Sequence, residues 1–252
     1  MSIPTTTDQK PRTVTDKSFR FKQFEVQQDR CTMKVGTDGV LLGAWADVTG
    51  AGNILDIGTG TGVIAMMLAQ RADNNARIDA VDIEQNAAEQ AAENVARCAW
   101  ADRIHVHHQD IKKFARLSRT DYDLIVSNPP FFSGGVLSEN QDRNSVRHTV
   151  KLAHGDLLMA VQKLLAKTGK FCVILPNIEG RRLRELSEQY HLHCTRTTEV
   201  YPKADKSVER LLLQFEREAR AERTDRLVIQ HDARNDWTEQ YIELTGDYYL
   251  NM

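Results

Sequence analysis

The sequence lacks the features of membrane proteins, of secreted proteins and of small proteins held together by zinc or disulfides. No apolar run reaches the roughly 18 residues that a membrane-spanning helix needs, and the polar N-terminal segment has no apolar core that would make it a secretory signal. The four cysteines lie far apart without a C-x-x-C pair, which argues against a zinc site or a disulfide framework. The chain also lacks the basic excess of a dedicated nucleic-acid binder, because its net charge is only −2. We therefore expect a cytoplasmic protein without metal or membrane attachment, in which any nucleic-acid contact is local.

What the chain does have is an alternation of apolar strands and amphipathic helices. Strands are predicted at residues 53–57, 77–82, 103–108, 121–127 and 170–175, helices at 63–72, 85–97, 155–167 and 178–190, and a closing antiparallel pair at 193–201 and 207–215. Strands separated by helices indicate an α/β protein with a doubly wound, mostly parallel sheet. Ligands of such sheets bind beyond the carboxyl ends of the strands, so the loops after the strands are the places to search for chemistry.

The domain organisation is predicted to be simple. Residues 1–18 are expected to form a flexible tail, and residues 19–252 a single domain. Within that domain, residues 219–252 are expected to add a strand and a helix at the C-terminus, after a link in which charges of both signs alternate.

The loop after the first predicted strand of the sheet reads Asp56-Ile57-Gly58-Thr59-Gly60-Thr61-Gly62. Glycines at alternate positions permit a tight turn and a close approach of the backbone to a ligand. The dinucleotide fingerprint G-x-G-x-x-G would need a glycine at position 63, which is Val63. The run instead resembles motif I of class I methyltransferases, D-x-G-x-G-x-G. That resemblance implies that S-adenosylmethionine lies on the loop and that Asp56, Gly58, Gly60 and Gly62 bind it.

The next two loops each begin with an acid. Asp82, with Ile83 beside it, ends the second strand, where a carboxylate can accept both hydroxyls of a ribose. Asp110 and Ile111 follow the third strand, and the resemblance implies that this acid accepts the adenine amine while the apolar neighbour packs on the ring. Either acid can instead cap the helix that follows it.

The loop after the fourth strand reads Asn128-Pro129-Pro130-Phe131 and resembles the (D/N/S)-P-P-(F/Y/W) motif of amino methyltransferases. An aromatic amine is a poor nucleophile because its lone pair is delocalised into the ring. The Asn128 side-chain oxygen and the Pro129 carbonyl can accept its two N–H groups, which aims the lone pair at a methyl donor. Proline restricts the backbone, and Phe131 can stack on a flat base. We therefore expect Asn128, Pro129, Pro130 and Phe131 to form the catalytic loop, with Asn128 also touching the cofactor.

A segment before motif I, Lys34-Val35-Gly36-Thr37-Asp38-Gly39-Val40-Leu41-Leu42-Gly43, completes the pattern. In enzymes with similar motifs such a segment closes over the methionine end of the cofactor, so the resemblance implies polar contacts from Thr37 and Asp38. A plain helix cap at Asp38 is the alternative.

Together these motifs and the tail at 239–250 resemble the bacterial tRNA adenine-N6 methyltransferase family that modifies valine tRNA beside its anticodon. The resemblance runs from about Arg20 to the C-terminus. It implies a Rossmann-like class I methyltransferase fold whose seven-stranded sheet includes a C-terminal antiparallel strand. It also implies transfer of one methyl group from S-adenosylmethionine to the N6 amine of nucleotide 37. Composition and periodicity do not show this transfer.

Three alternatives stay open at the level of sequence. A protein glutamine-N5 methyltransferase uses the same N-P-P logic, although about 50 residues before motif I leave little room for the separate helical domain such enzymes carry. A ribosomal RNA guanine-N2 methyltransferase also fits the motifs. A non-catalytic module that kept the fold is the third, and the intact motifs argue against it.

Because the resemblance implies a tRNA substrate, we expect local cationic residues that contact its anticodon loop. One candidate segment alternates aromatics and cations at Phe19-Arg20-Phe21-Lys22-Gln23-Phe24, where Arg20 and Lys22 can follow phosphates while the rings stack on bases. The same period of two also fits an edge strand whose rings pack on the core. Arg143, Arg147 and Lys151 follow the catalytic loop with no acid between them, and Lys203, Lys206 and Arg210 on the closing strands are weaker candidates. The oligomeric state does not follow from the sequence.

Overall fold

A computed structural model describes residues 17–31, 33–130 and 154–252. Its strands are β1 (Ser18–Arg20), β2 (Glu25–Gln27), β3 (Asn53–Ile57), β4 (Arg77–Asp82), β5 (Ile104–His108), β6 (Tyr122–Ser127), β7 (Leu165–Pro176), β8 (His193–Lys203), β9 (Arg210–Glu216) and β10 (Arg223–Gln230). Its helices are α1 (Thr37–Trp45), α2 (Val63–Arg71), α3 (Gln85–Ala96), α4 (Ile111–Leu117), α5 (His154–Leu164), α6 (Asn177–Ser187) and α7 (Glu239–Thr245). A 3₁₀ turn, Glu188–Tyr190, follows α6.

The central sheet has eight strands in the order β10-β8-β9-β7-β6-β3-β4-β5. All neighbouring pairs are parallel except those of β9, which runs antiparallel to both β7 and β8. The α/β fold and the antiparallel closing pair are therefore confirmed. The expected count of seven strands is wrong by one, because β10 from the predicted C-terminal addition pairs with β8 and extends the sheet.

The sheet separates two hydrophobic cores. Consecutive residues of a strand point to opposite faces, so Leu124 and Val126 enter the core under α1, α2 and α7, while Ile125 enters the core under α4, α5 and α6. The predicted helix at 155–167 ends earlier, at Leu164, because Leu165 already pairs with Tyr122 of β6. No helix in the described ranges is long and apolar enough to cross a bilayer.

The N-terminal segment packs against the C-terminus of the chain. Strand β1 begins at Ser18, so the end of the predicted tail is ordered, and the tail's first sixteen positions lie outside the described residues. Phe21 and Phe24 are 2% and 7% exposed and stack with ring centroids 4.6 Å apart. These two rings belong to the core, so the expected base stacking is wrong for them; the strand of the alternative ends at Arg20, before both rings.

Lys22 also bonds to the C-terminal part of the chain. Its ammonium donates to the Gly246 carbonyl and, at 3.3 Å, to the Met252 carbonyl, and its backbone N–H donates to the Tyr248 carbonyl at 2.8 Å. The two candidate RNA contacts in this segment, Arg20 and Lys22, are both exposed, and Lys22 additionally bonds to the C-terminal part of the described chain.

Candidate functional site

A cavity of about 870 Å³ opens at the carboxyl ends of the parallel strands. The chain leaves β3 toward β4 and β5 and then returns to β6 on the other side of β3. This reversal is the topological switch point, where doubly wound sheets bind their ligands. The size lies within the range of small-molecule and cofactor sites. The cavity thus forms where the sequence pattern predicted chemistry.

The glycine loop between β3 and α2 forms the floor of this cavity. Gly58, Gly60 and Gly62 all have positive φ angles, of 72°, 57° and 82°, which residues with a Cβ atom rarely adopt. A Cβ on Gly58 or Gly60 would meet no atom within 4 Å, and both residues line the cavity. The open space above these two positions is the kind of cradle that a cofactor fills.

Gly62 has a different role from the other two glycines. It does not line the cavity, and a Cβ there would lie 3.3 Å from the Cβ of Ala91 on α3. Its absent side chain lets α2 begin close against α3. The structure therefore shows a packing role for Gly62, and its cofactor contact stays a prediction.

Asp56 lies beneath the loop and has no exposed surface. The Thr59 hydroxyl donates to its Oδ2 at 2.6 Å, and its Oδ1 is buried without a hydrogen-bond partner in the described chain. Burial raises the pKa of Asp56 to about 7, and the charge of Asp82 acts in the same direction. Asp56 does not line the cavity, so it organises the loop from below.

Asp82 joins the glycine loop to the end of β4. Its Oδ2 accepts the Gly60 backbone N–H at 2.8 Å, and its Oδ1 accepts the Glu84 N–H at 2.9 Å. It lines the cavity together with Ile83, which is 37% exposed. The residue that caps α3 is Glu84, so the simple capping alternative does not explain Asp82. A carboxylate oxygen accepts more than one hydrogen bond, which leaves Asp82 capacity for ribose hydroxyls.

Asp110 caps α4 and faces the cavity. Its Oδ1 accepts the backbone N–H groups of Lys112 at 2.7 Å and Lys113 at 3.2 Å. Asp110 and the buried Ile111 both line the cavity. The capping role predicted as an alternative is therefore present, and it orients the side chain without excluding a ligand contact.

Asn128 stands where β6 ends, next to the floor of the cavity. Its side-chain Oδ1 is buried and has no hydrogen-bond partner in the described residues. Leaving such an acceptor unpaired costs about 1–3 kcal/mol. Pro129 and Pro130 also line the cavity. The structure brings these three residues of the predicted catalytic loop together with the glycine loop, while Phe131 lies outside the described residues.

Helix α1 closes the cavity from above. It begins at Thr37 after Gly36, which is the cap, so the alternative of an Asp38 cap is wrong. Thr37 and Asp38 both line the cavity, and the Asp38 Oδ2 accepts a hydrogen bond from the Arg210 Nε at 2.8 Å. A Cβ on Gly39 would lie 3.9 Å from the Asn128 Nδ2, which shows how closely this helix approaches the catalytic loop.

Sequence reasoning did not predict one wall of the cavity, although it named one of its residues, Arg210, as a weaker RNA contact. It is formed where β8 and β10 end and β9 begins, by Val200, Pro202, Glu209, Arg210 and Ile229. These strands reach the same edge because β8 and β10 are parallel to each other and antiparallel pairing places the start of β9 beside the end of β7. No local motif marks these residues, so only the order of the strands reveals them.

The charges around the cavity favour a cationic ligand. Carboxylates outnumber cations six to four among the described lining residues: Asp38, Asp82, Glu84, Asp110, Asp156 and Glu209 against Arg30, Lys34, Lys112 and Arg210. An acidic cavity favours a positively charged ligand. Together with the open space above Gly58 and Gly60, this balance fits S-adenosylmethionine, whose sulfur carries a positive charge.

The expected RNA contacts Arg143, Arg147 and Lys151 lie outside the described residues.

Comparison with known sequences identifies close relatives. Residues 35–179 match the family model of the methyltransferase small domain. The chain is 44% identical over 236 residues to a tRNA1(Val) (adenine(37)-N6)-methyltransferase of Proteus mirabilis, covering 92% of this chain and 93% of that protein. It is 46% identical over 233 residues to the protein of the same name in Trichodesmium erythraeum, covering 92% and 97% respectively.

Solved structures share the fold at low sequence identity. A predicted O-methyltransferase of Agrobacterium tumefaciens superposes with a TM-score of 0.66 and 18% identity, covering 86% of this chain and all of that chain. A 16S rRNA N2 G1207 methyltransferase of Thermus thermophilus, solved with AdoMet and guanosine, gives a TM-score of 0.54 and 20% identity over 80% of this chain and 50% of its own. Both similarities support the Rossmann-like methyltransferase fold and nothing finer.

Proposed function

The chain belongs to the methyltransferase small-domain family and to the tRNA1(Val) (adenine(37)-N6)-methyltransferases, and on this premise we propose that it transfers one methyl group to the N6 amine of adenosine 37 in valine tRNA. The methyl donor is S-adenosylmethionine. The relatives favour this reaction over the glutamine-N5 and guanine-N2 alternatives, since their names specify the adenine amine.

The unpartnered Oδ1 of Asn128 is the observation that carries the proposal. A buried acceptor without a donor is costly, and an exocyclic N–H group that enters the cavity would supply the missing donor. The Pro129 carbonyl offers a second acceptor for the other N–H group. Holding both groups draws the amine nitrogen out of conjugation with the ring and directs its lone pair toward the glycine loop.

When bound, S-adenosylmethionine supplies a methyl group that its positive sulfur already activates. The residues of this chain then have to orient two partners and exclude water, rather than provide a strong base. Asp82 and the glycine loop hold the donor side, and Asn128 with the two prolines holds the acceptor side. Ser127 connects the two, because its hydroxyl donates to the Ile57 carbonyl at 2.9 Å.

The tRNA partner accounts for the choice of amine. Adenosine 37 lies in the single-stranded anticodon loop, so it can enter the cavity with little cost for unpairing. Arg20, Arg143, Arg147 and Lys151 are proposed to contact the backbone of this loop, and the reaction is proposed to take place in the cytoplasm. Lys22 belongs to the same proposed set, since it is exposed even though its ammonium bonds to two backbone carbonyls.

The test is methylation of an unmodified valine tRNA transcript with labelled S-adenosylmethionine, followed by digestion and nucleoside analysis. We expect N6-methyladenosine at one site. The matched control is the same transcript with guanosine in place of adenosine 37, which should accept no label.

Other products would contradict the proposal in different ways. N2-methylguanosine, in either transcript, would identify a guanine-N2 enzyme. N6-methyladenosine in the control transcript would support adenine-N6 methylation as the reaction but would refute nucleotide 37 as its site.

A further inference from the structure

The two walls of the cavity are joined by one ion pair between distant parts of the chain. Arg210 begins β9 in the wall built by the C-terminal strands, and Asp38 lies in the first turn of α1. The Arg210 Nε lies 2.8 Å from the Asp38 Oδ2. Both side chains are about one quarter exposed, at 28% and 23%, so the pair is partly shielded from solvent.

The position of Arg210 follows from the strand pairing. It lies opposite Pro176 at the end of β7 and opposite Val200 near the end of β8. Strand β7 is the neighbour of β6, which ends at the catalytic loop. Arg210 thus begins a strand that lies two places from β6 in the sheet, and it lines the same cavity as Asn128.

The position of Asp38 determines what the pair restrains. Helix α1 has Gly36 as its cap and no side-chain hydrogen bond there, so the ion pair is a principal side-chain anchor of its first turn. The next residue, Gly39, would place a Cβ 3.6 Å from the Val63 Cγ1 and 3.9 Å from the Asn128 Nδ2. The first turn of α1 thus lies close to both the start of α2 and the Asn128 amide, so a shift of this turn would change the space beside that amide.

We propose that Arg210 is a positioning residue for methyl transfer, which acts through Asp38 to hold the first turn of α1 against Asn128 and so sets the direction of the amine acceptor. This inference rests on the proposed function. It differs from the sequence-based expectation that Arg210 contacts RNA, because here the guanidinium orients groups of the protein.

The experiment compares Arg210→Met, Arg210→Lys, Asp38→Asn and the double variant in the full chain. Turnover and KM for valine tRNA are measured at saturating S-adenosylmethionine, and the free energy of unfolding is measured in urea. The matched control is Arg223→Met, which removes an arginine paired with Asp225 at 2.9 Å at the start of β10, at the end of that strand away from the cavity.

We expect Arg210→Met to lower kcat about tenfold or more, with KM for tRNA changed less than about twofold. Arg210→Lys should restore part of kcat, since an ammonium can still pair with Asp38. The double variant should be no slower than the worse single variant, because the two residues act as one unit. Arg223→Met should keep wild-type kcat.

Each of the following results would overturn the inference. A raised KM with normal kcat would make Arg210 an RNA contact. Additive losses in the double variant would mean that the two residues act separately. A loss of kcat that Arg210→Lys does not relieve, with a greater loss of unfolding free energy than Arg223→Met causes, would make the pair purely structural. Normal kcat in Arg210→Met defeats this inference alone, whereas a wild-type protein that yields no N6-methyladenosine defeats the proposed function and this inference with it.

Discussion

The hydroxyl of Ser127 donates a hydrogen bond to the carbonyl of Ile57 at 2.9 Å, in the last register pair between β6 and β3. Ser127 is fully buried, and Asn128 follows it directly. Ile57 ends the strand that leads into the glycine loop. This one bond therefore connects the loop proposed to hold the methyl donor with the loop proposed to hold the acceptor amine.

Removal of this bond should reduce both stability and turnover. Ser127→Ala is expected to lower the free energy of unfolding by about 1 kcal/mol, the usual net value of a buried hydrogen bond. It should also slow methyl transfer about tenfold, because a small displacement of Asn128 misaligns the amine. Urea denaturation and single-turnover kinetics measure the two effects. Unchanged single-turnover rates in a destabilised variant would show that the bond has no part in positioning Asn128.

Replacement of Asn128 should affect the chemical step most strongly. Asn128→Ala removes the buried acceptor and is expected to lower kcat about 100- to 1000-fold, as the loss of one preorganised polar group does in other enzymes. The free energy of unfolding should not fall, since the substitution removes a buried acceptor that has no partner in the described chain. Asn74→Ala, at an exposed turn, is the control. If Asn128→Ala retained wild-type turnover, the amine-holding mechanism would be wrong.

The buried carboxyl of Asp56 predicts a pH-dependent stability. Burial raises its pKa from 3.8 to about 7, so between these values the folded protein holds a proton that the unfolded chain has released. The stabilising contribution of the protonated group is complete below the unfolded pKa and is lost as the pH rises through about 7. Relative to Asp56→Asn, ligand-free wild type should therefore lose unfolding free energy between about pH 5 and pH 8. Urea denaturation across this range measures it.

Asp47 provides the control of opposite sign. Its hydrogen bond with the Lys170 ammonium, at 2.7 Å, lowers its pKa to about 2. The stability that this ionised carboxylate contributes is present above the unfolded pKa and is lost only as the pH falls through about 2. The difference between wild type and Asp47→Asn should therefore stay constant between about pH 5 and pH 8. A constant difference for Asp56→Asn as well would refute the raised pKa.

Two glycines of the same loop should respond differently to substitution. Gly60→Ala and Gly62→Ala both force a side chain into a left-handed conformation, which costs about 1–2 kcal/mol. Only the methyl group at position 62 also presses on Ala91, so Gly62→Ala should lower the free energy of unfolding more. The methyl group at position 60 enters the open cavity, so Gly60→Ala should weaken binding of S-adenosylhomocysteine more. Urea denaturation and calorimetric titration separate the two losses, and equal effects of the two variants on both measurements would contradict the assignment.

The sequence alone determined the fold class and the floor of the site. The spacing of Gly58 and Gly60, the acids Asp82 and Asp110, and Asn128 before two prolines are local patterns. The carboxyl ends of parallel strands meet at one edge, so these patterns converge in any doubly wound sheet with this order of elements. Packing roles hidden in the same motifs were less visible: the close approach of Gly62 to Ala91 depends on a helix that lies elsewhere in the chain.

Only the tertiary structure decided which distant charges meet. Arg210 pairs with Asp38 across 172 positions of sequence, and Lys22 reaches the Gly246 carbonyl across 224. Neither partner is marked by periodicity or spacing, because an ion pair needs only opposite charge and proximity, and the chain offers 33 basic and 35 acidic residues. The direction and neighbours of the closing strands select among these many pairings, and they thereby form the wall of the cavity that no motif records.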